Sequence, residues 1–221
     1  MKPHNFAAIA LVLAACEKPP APTPSTTSTT PPTTNTVAAP EPPSIKFLLG
    51  AFEAAAVPEA VGLGEGKIQH GLRFTDANGD NLAVFWTDAD QGLWAKHVVV
   101  KDDAVEKILR EVKQVRGDCE FDYSAEFVKR AIRATDVDAD GFGEVTLGYK
   151  YACRSDMSPQ EFKILVLENG EKSILRGSEV MIIQGQEPVG IGKFEPEGFD
   201  GSPKLLEHAQ QTYKRNLTTN Y

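Results

Sequence analysis

The sequence predicts a mainly β fold of the α+β kind, in which antiparallel hairpins lie between a short N-terminal helix and a C-terminal helix. Three observations predict it. Short runs rich in Val, Ile, Leu, Phe and Trp recur between positions 67 and 175. Turn signals separate them, among them Asn78-Gly79 and Asn169-Gly170, and both residues of such a pair accept the positive φ that a tight hairpin requires. Clear helical spacing of apolar residues is found at the two ends of this region.

The elements follow in order. Ile45, Leu48, Leu49, Phe52 and Ala55, entered at Ser44, share one helical face, and Pro58 stops the chain beyond them, so a short amphipathic helix is expected there. Strands are expected over 67–74, 82–86 and 93–100, joined by the turns 76–80 and 88–92. The segment 103–115 reads both ways: Val105, Ile108, Leu109 and Val112 fit a helix, while Val112 and Val115 suit a strand. Strands over 127–134 and 145–151 flank an acidic loop, and 162–167 pairs with 172–175 about Asn169-Gly170. A Gly/Pro-rich loop spans 185–201. Ser202 then stands as the N-cap of a last helix, with Pro203 at its first position and Leu205, Leu206, Ala209 and Tyr213 on one face, the arrangement in which a missing N–H costs nothing. Residues 45–221 thus suffice for one domain.

The first 44 residues have a different character. Lys2 and an uncharged apolar run over 6–15 end at Leu13-Ala14-Ala15-Cys16, the layout of a secretory signal and too short for the ~20 residues that span a bilayer. Leu-Ala-Ala-Cys resembles the lipobox of bacterial lipoproteins. The resemblance implies cleavage before Cys16, diacylglycerol and acyl chains such as palmitate on that cysteine, and a stable membrane anchor, because several buried chains hold where one does not. Glu17 rather than an aspartate follows, which points to the outer membrane. From 17 to 44 the chain has nine prolines, eight threonines and no aromatic residue. Such a stretch has nothing to bury and is expected to be an extended tether of about 85 Å at ~3.1 Å per residue. Loss of residues 1–15 takes the net charge from −8 to −9, a balance that argues against nucleic acid as a partner.

Asp136-Val137-Asp138-Ala139-Asp140-Gly141-Phe142-Gly143-Glu144 carries the strongest chemical signal within the folded part. Calcium takes six to eight oxygens in flexible geometry, and carboxylates at alternate positions of a tight loop converge on one point. Asp136, Asp138 and Asp140, the Phe142 carbonyl and Glu144 are therefore the expected ligands of a structural Ca2+. The twelfth position of an EF-hand would fall on Leu147, and both flanks are strand-like, so this is not an EF-hand. The loop resembles instead the Asp-x-Asp-x-Asp-Gly-x-x-Asp/Glu loops that join strands in FG-GAP and related surface proteins, with Glu144 where aspartate is usual. The turn 76–81 has a fainter acidic look but lacks a closing acid and reads as a plain turn.

With Cys16 assigned to lipid, Cys119 and Cys153 remain, an even number in an oxidising compartment, and a disulfide between them is expected. A plain hairpin centred on Asp140 sets Cys153 opposite Phe127, so the chain has to bend near 122–125 for the bridge to close. The remaining histidines His70, His97 and His208 have no zinc-binding spacing, and His97, in a strand beside Trp94, reads as a core or face residue. Trp86, Trp94, Tyr149 and Tyr151 are candidates for a sugar-stacking face, against the plainer reading as core. The stretch from Asp136 through Cys153-Arg154-Ser155-Asp156-Met157-Ser158-Pro159 to Leu175-Arg176-Gly177 is similar to bacterial envelope proteins associated with surface polysaccharide biosynthesis, a resemblance that implies a process and no catalytic residue. The sequence thus reads as a membrane-anchored envelope lipoprotein whose calcium-stabilised β domain is a binding or structural module with an envelope polysaccharide or protein as partner. The alternative is an accessory protein or enzyme of surface polysaccharide assembly.

Overall fold

The computed structural model describes residues 47–221. Cys16 and the expected signal and tether lie outside the described residues. The first sheet is a meander of β1 (Leu48–Gly50), β2 (Lys67–Asp76), β3 (Gly79–Thr87), β4 (Leu93–Lys101) and β5 (Ala104–Gln114), paired in that order. The second contains β6 (Asp122–Phe127), β7 (Arg133–Thr135), β8 (Glu144–Arg154), β9 (Glu161–Glu168), β10 (Glu171–Ser178) and β12 (Phe194–Glu197). Its order is β12-β10-β9-β8-β6, and β7 pairs with β8 beyond the end of β6. All pairings in both sheets are antiparallel. A parallel pair, β11 (Val180–Ile182) with β13 (Thr218–Asn220), brackets the one α-helix among the described residues, α1 (Pro203–Asn216). The molecule is mainly β, as its short apolar runs between turn signals predict, and α1 begins at Pro203 after Ser202, whose side chain makes no capping hydrogen bond.

Three apolar layers hold these elements. Between the sheets lie Phe74, Ala83, Phe85, Leu93 and Ala95 from the first and Val145, Leu147, Tyr149, Leu165, Leu167 and Ile174 from the second. Residues two apart face the same way on a strand, so the alternate positions point outward. On the first sheet Leu82, Val84, Trp86, Val98 and Val100 are covered by Val61, Phe52 and Leu63. On the second, Phe162, Ile164, Val166 and Leu175 are covered by Leu205, Ala209 and Tyr213 of α1. Both faces of each sheet are therefore buried, which explains strands that read as continuous apolar runs.

Several elements differ from the sequence expectation. No α-helix forms over the described part of 44–55; β1 runs there, followed by 3-10 turns at Ala54–Ala56 and Glu59–Val61. Leu48 and Leu49 are 60% and 65% exposed, and the segment is held instead by Phe47 against Phe74 and by Phe52 over Gly71, where a Cβ would collide with the ring. The ambiguous segment 103–115 is strand β5. The strand expected over 127–134 is broken by a 3-10 turn at Lys129–Ala131, and the loop expected over 185–201 contains β12.

That broken strand brings the cysteines together. β7 pairs Arg133 with Thr146, whereas β6 pairs Phe127 with Tyr149, so the turn between them inserts three extra residues on one side. Cys153 consequently faces Tyr123. A further turn, closed by the Cys119 N–H donating to the Arg116 carbonyl, carries Cys119 to a disulfide with Cys153 at a Cα–Cα distance of 5.7 Å. The register shift occurs at 128–132 and the final bend just before β6, not within 122–125 as the plain hairpin suggested.

Candidate metal centre

The acidic loop joins β7 to β8, and Thr135 and Glu144 close it as a cross-strand pair. Inside it, Asp138 Oδ1 accepts the Asp140 N–H at 3.3 Å and Asp140 Oδ1 accepts the Phe142 N–H at 2.8 Å. Each short acid thus fixes the backbone two residues on. Gly141 sits at φ +91° and Ala139 at +63°, and the tight reversal these allow turns the carboxylates toward each other.

Two overlapping sets of carboxylates result. Asp136, Asp138 and Glu144 form one, and Asp138, Asp140 and Glu168 the other, with ligand atoms inside each set within 4.8 Å of one another. Asp138 belongs to both. Four predicted acids are therefore brought together, and such a cluster can hold a metal ion. Phe142 enters the local geometry through its N–H. Glu168 was not foreseen. It ends β9, before Asn169 at φ +43° and Gly170 at φ +87°, and the pairing of Val145 with Leu167 puts it beside Glu144. Only the register of two strands far apart in sequence signals that proximity.

The electrostatics are strained. Glu144 is fully buried at the start of β8, and burial pushes its carboxyl up to about 7 although the Val137 N–H and the Thr135 hydroxyl donate to it. Burial also pushes Glu168 to about 7, reinforced by Asp140, Asp138, Glu144 and Asp136. Asp140 is raised by burial, against the pull of the Phe142 N–H, and by Asp138, Asp136 and Asp76. Asp136 Oδ1 and Glu168 Oε1 are enclosed without a hydrogen-bond partner. A buried acceptor in that state costs about 1–3 kcal/mol, and a divalent cation would offset both that cost and the repulsion.

The rest of the fold grips this loop. Asp76, almost fully buried, accepts the Asn78 N–H and Asn81 Nδ2 on Oδ1, and the Gly143 N–H on Oδ2 at 2.8 Å. The Ala77 N–H donates to the Gly141 carbonyl. The turn that read as plain is thus a clamp on the acidic loop, and Asp76 stands outside both carboxylate sets. Gly143 has no room for a side chain, since a Cβ would meet the Phe74 ring at 2.5 Å. From α1, Lys204 Nζ donates to the Asp138 carbonyl at 3.0 Å. His97 is a core residue, its Nε2 2.9 Å from Asn81 Oδ1.

The four aromatics do not make one face. Trp86 and Trp94 stack at 6.1 Å on the outer side of the first sheet, whereas Tyr149 and Tyr151 pack on the inner side of the second. Trp94 Nε1 donates to Asp88 Oδ2 at 2.7 Å, and Asp88 Oδ1 caps its own turn through the Asp90 and Gly92 N–H groups. The Trp pair lines an open groove of about 310 Å³ with Leu63, Glu65 and Asp90, but Trp86 is buried and offers no free face. No family model, curated protein or solved structure matches the chain.

Proposed function

We propose that this chain is a lipid-anchored protein of the bacterial cell envelope, held at the outer membrane through Cys16, whose β-sandwich is locked by calcium and acts as a binding or structural module. The observation that carries the calcium reading is the convergence of Asp136, Asp138, Asp140, Glu144 and Glu168. An all-oxygen donor set without histidine or thiolate suits a hard cation, and flexible carboxylate geometry suits Ca2+ better than the strict octahedron of Mg2+. The Phe142 carbonyl is a further ligand in this reading. The ion is structural. It would tie the 136–144 loop to the tip of the β9–β10 hairpin while Asp76 holds the same loop to the first sheet.

Thermal unfolding of the full chain tests it. Calcium at ~100 times its Kd should add about 2.7 kcal/mol, or about 5–10 °C for a chain of this size, over the same protein in EGTA. Asp138→Asn, which alters both carboxylate sets, should remove that response. The calcium response should shrink from pH 8 to pH 6, because Glu144 and Glu168, pushed to about 7, must lose their protons for the metal to bind. Identical melting in calcium and EGTA at pH 8 would end the reading.

A further inference from the structure

A second charged site lies on the inner face of the second sheet, reaching the β9–β10 hairpin from the side of β5. Moving along β8, β9 and β10, the first inward row is Val145, Leu167 and Lys172, and the second is Leu147, Leu165 and Ile174. The next row is Tyr149, Lys163 and Arg176, in register across the three strands. Like charges set directly opposite on neighbouring strands are destabilising, and here Lys163 stands directly opposite Arg176. Across from them, β5 contributes Arg110 and Gln114 to the wall of a cleft of about 230 Å³, and Lys172 of β10 lines it too.

The partners of these cations leave the cleft positive. Arg110 donates from one terminal nitrogen to the Gly170 carbonyl, and its Nε is enclosed without a partner. Lys163 Nζ lies 4.4 Å from the Tyr151 ring centroid and 3.5 Å from Gln114 Oε1, contacts that hold a cation without neutralising it. Burial and the neighbouring Arg176 both lower the Lys163 ammonium below its ordinary range, with Glu161 acting the other way. Of the acids nearby, Glu111 pairs with Lys96 at 3.1 Å and Glu197 meets Arg176 Nε at the exposed rim. Among the described residues, no carboxylate lies within ion-pair distance of Arg110, Lys163 or Lys172. This concentration of positive charge occurs in a chain of net charge −8.

We propose that the cleft between β5 and the inner face of β8–β10 binds an oxyanion group, a phosphoryl or carboxylate, through Arg110, Lys163, Lys172 and Arg176. The guanidinium fork pairs with such groups in two parallel hydrogen bonds. The cleft is smaller than the ~300–1,000 Å³ of a pocket that takes a whole drug-sized ligand. It therefore receives one charged group, either a free ion or the acidic unit of a longer molecule.

The test is calorimetric titration of the full chain with inorganic phosphate, pyrophosphate and glucuronate at low ionic strength, in EGTA so that the outcome is independent of the metal reading. Saturable binding of at least one probe is expected, weakened by salt. The responding probe identifies the source, phosphoryl if phosphate or pyrophosphate binds and carboxylate if glucuronate does. Lys163→Gln with Arg176→Gln should weaken binding about tenfold or more per cation removed. Because that change relieves opposed charges, the variant should melt no lower than the native chain. Lys172→Gln, at an exposed position, gives a second reading that places no demand on the core and should also weaken binding. No binding of any probe to the native chain, or equal binding to the variants, overturns the proposal.

Discussion

His97 is joined to the acidic loop by a buried polar line through Asn81 and Asp76 to the Gly143 N–H. Asn81 uses its amide nitrogen to donate to Asp76 Oδ1 and the Gly79 carbonyl, so its oxygen must accept, and His97 donates from Nε2. Nδ1 is enclosed and unpartnered, and burial lowers the ring's pKa from 6.5 to about 4, so the imidazole is neutral at pH 7. Unfolding returns the ring to water and raises its proton affinity, so the unfolded state binds more protons between pH 6.5 and pH 4. Stability is then full above pH 6.5 and is lost on acidification through that window, by on the order of 3 kcal/mol from this group. Glu144 and Glu168 act oppositely without metal: their raised folded values favour the protonated fold as pH falls from about 7. Comparing native protein with His97→Gln in EGTA separates the two, since glutamine keeps a donor to Asn81 but does not titrate. The urea midpoint of the native chain should fall more between pH 7.5 and pH 4.5 than that of the variant, and parallel curves would show that His97 contributes nothing to the slope.

Among the elements, the segment from β6 to β8 carries the most constraint for its length. It contains the acidic loop, the 3-10 turn at Lys129–Ala131 and Cys153, which is bridged to Cys119 just ahead of β6. The cysteines are 34 residues apart, and closing such a loop removes about 3–4 kcal/mol of unfolded-state freedom on the chain-entropy estimate. Cys119→Ser with Cys153→Ser should therefore lower the melting temperature by about 10 °C, and the native protein should show no free thiol at these positions in denaturant. An unchanged melting temperature would mean that the turns hold this register by themselves. What the sequence disclosed about elements follows from how local their causes are. The β9–β10 hairpin was legible because Asn169-Gly170 dictates its turn, and α1 because Pro203 and the apolar face at Leu205, Ala209 and Tyr213 mark it. The β1 segment was misread because Leu48, Leu49 and Phe52 fit helical spacing equally well; pairing with β2 and the fit of Phe52 against Gly71 decide the matter. β5 was ambiguous because its pairing with β4 is interrupted by two register shifts that scramble the alternation. β12 was hidden by Pro196, which an edge strand tolerates and a central one does not. Glu168 was invisible at the candidate site because its place there depends on strand register, whereas Asp136, Asp138, Asp140 and Glu144 are neighbours along the chain.

At the scale of the whole molecule, the folded part ties down the residues after α1. Lys150 and Glu179 form a buried ion pair at 2.9 Å, and Thr219 and Tyr221 donate to the same carboxylate. Burial pushes Glu179 up, but the hydrogen bonds from Thr219, Lys150, Gln160 and Tyr221 outweigh it and hold the group below its ordinary value. Removing one partner of such a pair leaves a stranded charge and costs about 3–5 kcal/mol, so the last residues are part of the fold and poorly suited to serve as a free tail. No helix among the described residues is long and apolar enough to cross a membrane. The proposed envelope address rests on the N-terminal sequence, where Leu13-Ala14-Ala15-Cys16 precedes a proline- and threonine-rich stretch. Each buried methylene of an attached chain contributes about 0.8 kcal/mol, and a diacylglycerol with an added acyl group holds stably where one chain does not. Expressed in a Gram-negative bacterium, the native protein should incorporate labelled palmitate, fractionate with membranes and enter the detergent phase on phase separation. Cys16→Ala should lose the label and the detergent partition together. Its calcium response and its Cys119–Cys153 bridge should stay unchanged, because neither draws on residues before the sandwich. A Cys16→Ala protein that still partitions into detergent would move the anchor elsewhere in the chain and remove the basis for the assigned address.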